Sequence, residues 1–431
     1  MIETEKHTHN HIKTIITLLE QFIEDKSVTL NKLEYRQVPK IFHYYNEIIR
    51  YWSKLNYMIN KTFRSLESKE VNNYELAKCL YSAYRMLWED ATSEQILTEI
   101  SLRNPQILAR LKTFSWEIAL EGKTTLEKLS ILFAMPSFLI QKLLRVMNED
   151  FLKQNLRALN DHKNKEFFTI HLNKNVKHKI KDSKIFHKDP HLPYLYHVPL
   201  SQKSQFVTST LYESGDMIIL DKGSAAIVNI LSPMTGEKIL DMCSAPGIKS
   251  SLISQYTETN AQVIAEEFLT ERAQQMRIFI DKIANKNFYF LNTDSIQPPL
   301  RDDILFDKIL LDAPCTGSGT FLSNPELKWR QNEGFLHQNI VLQKKLLDTA
   351  LSRLKSDGIL VYSTCSLYPE EGELQILEIL DKVEALRIPK WFSPSYEVSG
   401  KTIPGTGRLF PSIQDTQGFF VGKFKKKKIL T

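Results

Sequence analysis

Two cysteines carry the chemistry that can be read from this chain. Cys315 lies in Leu311-Asp312-Ala313-Pro314-Cys315-Thr316-Gly317-Ser318-Gly319, and Cys365 in Tyr362-Ser363-Thr364-Cys365-Ser366. Each follows an apolar run that reads as a buried strand: Lys308-Ile309-Leu310-Leu311 before the first, Gly358-Ile359-Leu360-Val361-Tyr362 before the second. In an open parallel sheet, ligands bind at the carboxyl ends of the strands. A free cysteine on its own is most often a small buried hydrophobe. Two thiols at two strand ends, in a chain with four cysteines altogether, instead predict a thiol-dependent reaction at a single site.

A second constellation lies upstream. Leu240-Asp241-Met242-Cys243-Ser244-Ala245-Pro246-Gly247-Ile248-Lys249-Ser250 ends a predicted strand and opens a helix. Its small residues and Gly247 let the backbone approach a ligand, and a helix N-terminus favours carboxylate or phosphate. Neither a G-x-G-x-x-G nor a P-loop pattern is present, which disfavours a nucleoside triphosphate. The next strand ends in Val263-Ile264-Ala265-Glu266-Glu267, an acid placed to bind two ribose hydroxyls. A third ends in Asn292-Thr293-Asp294, within reach of an adenine amino group. An adenosine-bearing cofactor without phosphates, its methionine moiety at the helix start, fits this set. That cofactor is S-adenosylmethionine.

The elements that must position these groups follow from the patterning. Ile12, Ile15, Ile16, Leu18, Leu19, Phe22 and Ile23 form a helical apolar stripe, and similar stripes run through Val38–Leu55, Tyr74–Trp88 and Pro105–Leu120. A further helix is predicted over Phe138–Met147. Phe167–Leu172 reads as a strand followed by Lys174, Lys177, Lys179, Lys181, Lys184 and Lys188, a run that suits either solvent or RNA. From about Asp221 strands and helices alternate, the pattern of a doubly wound α/β domain. Its predicted strands are Lys238–Met242, Gln262–Glu266, Phe288–Leu291, Phe306–Leu311, Gly358–Ser363 and Gly418–Phe424. A helix over Val341–Lys355 is expected to end in a cap at Ser356-Asp357-Gly358. The terminal Lys423–Lys428 block is expected to be disordered.

Whole-chain properties bound the class. At 431 residues two or three domains are expected. With 42% hydrophobic and 25% charged residues the composition is that of a globular protein, and no eighteen-residue apolar run suggests a membrane span. The amino terminus lacks the basic start and apolar core of a secretion signal. The cysteines show no metal-ligand spacing, so no metal is expected. Free thiols suit a reducing compartment, and a cytoplasmic location is expected. The net charge of +6 permits a nucleic-acid partner.

Taken together, these motifs resemble the Sun (Fmu) family of RNA cytosine-5 methyltransferases. The Asp241–Ser250 loop resembles the family's D-x-C-A-A-P-G-G-K-T, and Asp312–Gly319 matches its fourth motif. Asn324-Pro325-Glu326-Leu327-Lys328-Trp329 resembles N-P-D-x-K-W, and Tyr362–Ser366 followed by Glu370 and Glu371 matches the sixth. Phe410-Pro411 and Gly418-Phe419-Phe420 resemble the closing strand. Ile248 departs from the pattern by replacing a glycine, and Gly372 by standing where asparagine often follows the paired glutamates.

The resemblance implies that Cys365 is the nucleophile, Cys315 the releasing thiol, and Asp312 the residue that holds the cytosine edge. It implies that Cys243, Ser244, Ala245, Pro246, Gly247, Ile248, Lys249, Glu267, Asp294 and Asp312 bind the cofactor. Arg272 joins this set because its spacing from Glu267 keeps the family's D-x-x-x-x-R. Cysteine suits the reaction because it is both nucleophilic and a tolerable leaving group. DNA cytosine methyltransferases instead place the attacking cysteine after proline and pair it with Glu-Asn-Val, which is absent here, so RNA is the expected substrate. The target base is expected single-stranded or flipped, its path lined by Lys328, Trp329 and Arg330 with the Lys174–Lys188 run, Trp329 being equally suited to a core position.

The expected architecture is an all-helical NusB-like domain over 1–146, a small basic α+β connecting domain over 147–215, and a Rossmann-like methyltransferase domain over 216–431. The NusB likeness rests on helical content, position and Leu30-Asn31-Lys32-Leu33. Ribosomal RNA is the expected substrate of a monomeric enzyme. Transfer RNA is the alternative, and a non-catalytic RNA-binding assembly factor is a third reading.

Overall fold

Side-chain alternation along five parallel strands decides the core of the larger unit. Ile239, Leu310 and Val361 are buried with Ile227, Val228, Leu252 and Val421 on one face. Leu240, Ile309, Leu311, Leu360 and Tyr362 are buried with Leu346, Leu347 and Phe420 on the other. Strands apolar on both faces require cover on both faces, and helices supply it. The structure is a computed structural model that describes residues 2–26, 38–65, 71–161, 166–171, 176, 180, 184–258, 260–283 and 288–428. By compactness the chain divides into two units, residues 161–319 with 334–431, and residues 1–160 with 320–333.

The larger unit carries two sheets. The smaller sheet contains β1 (Glu166–His171), β2 (His187–Lys188), β3 (Leu195–Pro199) and β4 (Met217–Ile219), in antiparallel order β2-β3-β1-β4. The main sheet contains β5 (Lys238–Asp241), β6 (Gln262–Glu267), β7 (Phe288–Asn292), β8 (Phe306–Asp312), β9 (Leu354–Thr364), β10 (Val383–Ala385), β11 (Thr406–Leu409) and β12 (Phe419–Lys426). Its order is β10-β12-β9-β8-β5-β6-β7, with β11 paired to β12. Strands β5 to β9 are mutually parallel, and β10 to β12 close one side antiparallel. The fold is α/β and Rossmann-like. The chain runs outward from β5 through β6 to β7, then returns to place β8 on the other side of β5. A crevice opens at such a switch point.

Two expectations for this unit fail. The helix before β9 spans Glu333–Arg353, and β9 begins at once with Leu354, so Ser356-Asp357-Gly358 is not a helix cap. Asp357 instead takes a left-handed turn at φ 63° within the strand and pairs with Lys425 and Lys428. The terminal lysine block is not a disordered tail through Lys426. Val421 on one face and Phe424 on the other bury β12, which carries Lys423, Lys425 and Lys426 along as strand residues.

The other unit is helical, led by Ile2–Glu24, Pro39–Arg50, Trp52–Ser65 and Asn73–Trp88. Asn72 caps the last of these, and Thr92 and Thr124 form capping boxes on two shorter helices. Of the predicted stripe, Ile12, Ile15, Ile16, Leu19 and Phe22 are buried against Tyr45, Ile48, Leu80 and Tyr81. The helix Glu149–Ala158, placed by sequence in the connecting segment, falls within this compact unit. Leu30-Asn31-Lys32-Leu33 and Lys174, Lys177, Lys179 and Lys181 lie outside the described residues. No described helix is long and apolar enough to cross a membrane.

The segment 320–333 belongs to this helical unit, which overturns the expected role of Lys328 and leaves Trp329 with its packing alternative. Lys328 is fully buried, and its ammonium group donates to the carbonyls of Arg50 and Ala134 and to Asn160 Oδ1. Burial pushes its pKa well below the ordinary lysine value. Trp329 Nε1 donates to the Ile49 carbonyl at 2.9 Å, and its ring meets Trp52 edge-on. Both side chains are consumed by packing. Neither is available to line a substrate path.

Candidate active site

Parallel pairing of β8 with β9 sets Asp312 opposite Ser363, so the residues just beyond both strand ends must converge. They do. Cys315 Sγ and Cys365 Sγ lie 3.2 Å apart, both thiols free and both partly exposed. The hydrogen bond shared with Cys365, together with burial, pushes the Cys315 thiol well above the ordinary cysteine pKa.

The loop that carries Cys315 is pinned along its length. Ala313 N–H donates to the Ser363 carbonyl at 2.8 Å, and Gly319 N–H to the Cys365 carbonyl at 3.0 Å. Gly418 N–H donates to the Gly319 carbonyl, and a Cβ on Gly319 would overlap the Gly418 backbone. Thr316 N–H and Oγ1–H both donate to the buried carboxylate of Glu371. Burial pushes that carboxyl upward, against the hydrogen bonds it accepts.

Asp312 is anchored on both oxygens. Ser363 Oγ donates to Oδ1 at 2.6 Å, and Lys249 Nζ lies 2.5 Å from Oδ2. Burial opposes the Lys249 charge, but the adjacent Asp312 outweighs it and holds the lysine above its usual value. This is a fixed carboxylate–ammonium pair beside two thiols.

The Cys243–Lys249 loop follows β5. Met242 N–H donates to the Leu310 carbonyl, and Ser244 donates twice to the Glu266 carbonyl. Gly247 has φ 98°, and a Cβ there would sit 3.0 Å from Met276, so both conformation and space demand glycine. Ser250 Oγ donates to Asp241 Oδ2, and burial raises that acid to about 7. Ile248, the departure from the family pattern, is half-buried and packs against the core beside the helix Lys222–Leu231.

A cavity of about 280 Å³ opens beside this loop. Of the predicted cofactor residues, Cys243, Glu267, Arg272 and Asp294 line it, with Phe268 and Pro314 among the apolar walls. Ser244, Ala245, Pro246, Gly247, Ile248 and Lys249 do not line it; they shape the loop and the thiol side. Glu267 is 4% exposed, accepts the Leu269 N–H on one oxygen, and leaves the other in a 3.5 Å ion pair with Arg272. Arg272 also donates to the Ala245 carbonyl at 2.8 Å, so it fastens the loop as well as facing the cavity. Glu266 is fully buried without lining the cavity, and burial raises it to about 7.

Sequence reasoning missed the residues that hold the segment after Cys365. Arg408, fully buried, makes a bidentate pair with Glu373 and donates to the carbonyls of Ser366 and Tyr368. No local pattern marks it. Gly372 had been read only as a departure. A Cβ there would meet Phe420 at 2.7 Å and Arg408 at 3.0 Å, so the close approach of the two explains the glycine.

Residues 228–425 match the family described as 16S rRNA methyltransferase RsmB/F. Over that stretch the chain is similar to RsmB/F-type methyltransferase domains. Along its length the chain is 26% identical to the ribosomal RNA small subunit methyltransferase B of Shigella boydii, over 88% of each protein. The Escherichia coli protein of the same name is equally similar. Among solved structures, PH0851 superposes with a TM-score of 0.74 at 22% identity, covering 97% of this chain and 99% of that one. A methyltransferase homolog from Pyrococcus horikoshii gives 0.60 at 27% identity, covering 71% and 99%. The cofactor of the RsmB/F-type domain is S-adenosylmethionine. The structure fits it: a buried carboxylate, Glu267, presents a loosely held oxygen to an apolar cavity of adenosine scale, as a ribose diol requires.

Proposed function

We propose that this protein methylates carbon 5 of cytosine in RNA, most naturally ribosomal RNA, through a covalent bond between Cys365 and carbon 6 of the base. The observation that carries the reading is the 3.2 Å approach of Cys315 to Cys365 beside the anchored Asp312–Lys249 pair. Carbon 5 of cytosine is a poor nucleophile. Addition of the Cys365 thiolate at carbon 6 makes it enamine-like and able to attack an electrophilic methyl group. S-adenosylmethionine, when bound, supplies that methyl group on a sulfonium. Asp312 holds the ring nitrogen and amino edge, and Lys249 supplies positive charge to the same edge through it. After methyl transfer Cys315 promotes loss of the carbon 5 proton, directly or through water, and Cys365 leaves.

The names of the similar bacterial proteins support ribosomal RNA over transfer RNA as substrate, and with it a cytoplasmic location. The intact thiols and Asp312 argue against a non-catalytic assembly factor. We assign substrate selection to residues 1–146 and the approach to the site to residues 147–215. The decisive test incubates pure protein with S-adenosylmethionine and unmodified small-subunit RNA or transfer RNA, followed by bisulfite sequencing. A protected cytosine in ribosomal RNA is expected. Methylation at any atom other than carbon 5 would remove the covalent mechanism.

A further inference from the structure

One residue touches both thiol-bearing segments. The Glu371 side chain accepts Thr316 N–H at 2.9 Å and Thr316 Oγ1–H at 2.5 Å, immediately after Cys315. Its main-chain carbonyl accepts Tyr362 Oη–H at 2.9 Å and Thr364 Oγ1–H at 3.1 Å, the latter immediately before Cys365. Gln343 braces the arrangement, because its Nε2 donates to Glu371 at 3.0 Å and to the Pro314 carbonyl at 2.8 Å. Glu371 and Gln343 are both fully buried, and the bonds to Thr316, Tyr362 and Thr364 are shielded from bulk solvent, while the one to Pro314 is partly so.

We propose that Glu371 is a positioning residue that fixes the distance between Cys315 and Cys365, and thereby couples attack on the base to its release. The proposal rests on the covalent reading above. Its physical basis is simple. Loops beyond strand ends are otherwise free to drift, and an error near 1 Å in a reacting pair costs about 10²-fold in rate. Main chain and side chain of one residue clamp position 364 and position 316, so the thiols cannot separate without breaking buried hydrogen bonds. Each such loss leaves an unsatisfied polar group in the interior.

The test compares Glu371→Ala, Glu371→Gln and Thr316→Val in the full-length protein. Two readouts are needed: methylation kinetics, and the rate at which oxidised glutathione closes a Cys315–Cys365 disulfide, mapped by mass spectrometry. In that closure the sulfur–sulfur bond forms as one glutathione disulfide is reduced to two thiols. Glu371→Ala is expected to lower kcat about 10²-fold and slow closure about tenfold, with affinity for S-adenosylmethionine held within about twofold. Glu371→Gln should recover most of both, because its carbonyl can still accept Thr316 N–H while its amide donates to Thr316 Oγ1. Thr316→Val removes one tie at near-constant volume and should shift both readouts in the same direction by less. It serves if Glu371→Ala does not fold. Unchanged kcat and closure in Glu371→Ala would overturn the proposal, as would a loss of cofactor affinity that matches the loss of rate. Rapid closure in a wild-type protein that makes no 5-methylcytosine would refute the covalent reading while leaving the clamp intact.

Discussion

Cys315 and Cys365 are chemically alike and differ in what surrounds them. The hydrogen bond with Cys365 and burial hold the Cys315 thiol well above its ordinary pKa, and in the mechanism proposed above Cys365 is the attacking sulfur. Cys365→Ala is therefore expected to abolish methylation, whereas Cys315→Ala should leave protein trapped on RNA. Denaturing gels distinguish them: a retarded protein–RNA band is expected for the second variant only. Asp241 yields a separate expectation. Burial raises it from 3.8 to about 7, so between those values the folded protein holds a proton that the unfolded chain has lost. Its contribution to stability is complete below about pH 4 and lost as pH rises through about 7. Asp241→Asn should flatten the fall in Tm between about pH 4 and 7. Equal slopes for variant and wild type would contradict this.

At the scale of elements, the strand ends were legible and the ties between them were not. Apolar runs bounded by motifs marked β5, β6, β8 and β9, and parallel order then forces their carboxyl ends together. Glu267 could be chosen over Glu266 from spacing to Arg272, and it is Glu267 that lines the cavity. Arg408 could not be found in the same way. Its partners Ser366, Tyr368 and Glu373 lie roughly forty residues away and share no periodicity with it. The contact of Gly319 with Gly418 was equally silent, since two glycines a hundred residues apart announce no packing. Gly319→Ala tests it. The added methyl must push the Cys315 loop away from β12, and a fall in kcat of about 10²-fold is expected by steady-state methylation assay. Activity within about twofold of wild type would show that the loop tolerates the shift.

At the scale of the whole molecule, sequence patterning separated helical from α/β character but misjudged what the Asn324–Arg330 motif does. A lysine and a tryptophan beside an active-site loop suit nucleic acid, and nothing local shows that the lysine is buried and the tryptophan packed among helices made some 280 residues earlier. Lys328→Ala should therefore act on stability. Loss of its three hydrogen bonds and of side-chain volume is expected to cost about 3 kcal/mol in denaturant melts of the intact chain. A cost below about 1 kcal/mol would show that the lysine is dispensable to the helical unit.

That embedding bears on biosynthesis. Lys328 and Trp329 fill places among helices whose own residues leave the ribosome long before them. The packing of the amino-terminal helices is complete only once the segment up to position 333 has been made. Only then does the later stretch arrive to plug them, so maturation of the leading region is gated by synthesis of the trailing one.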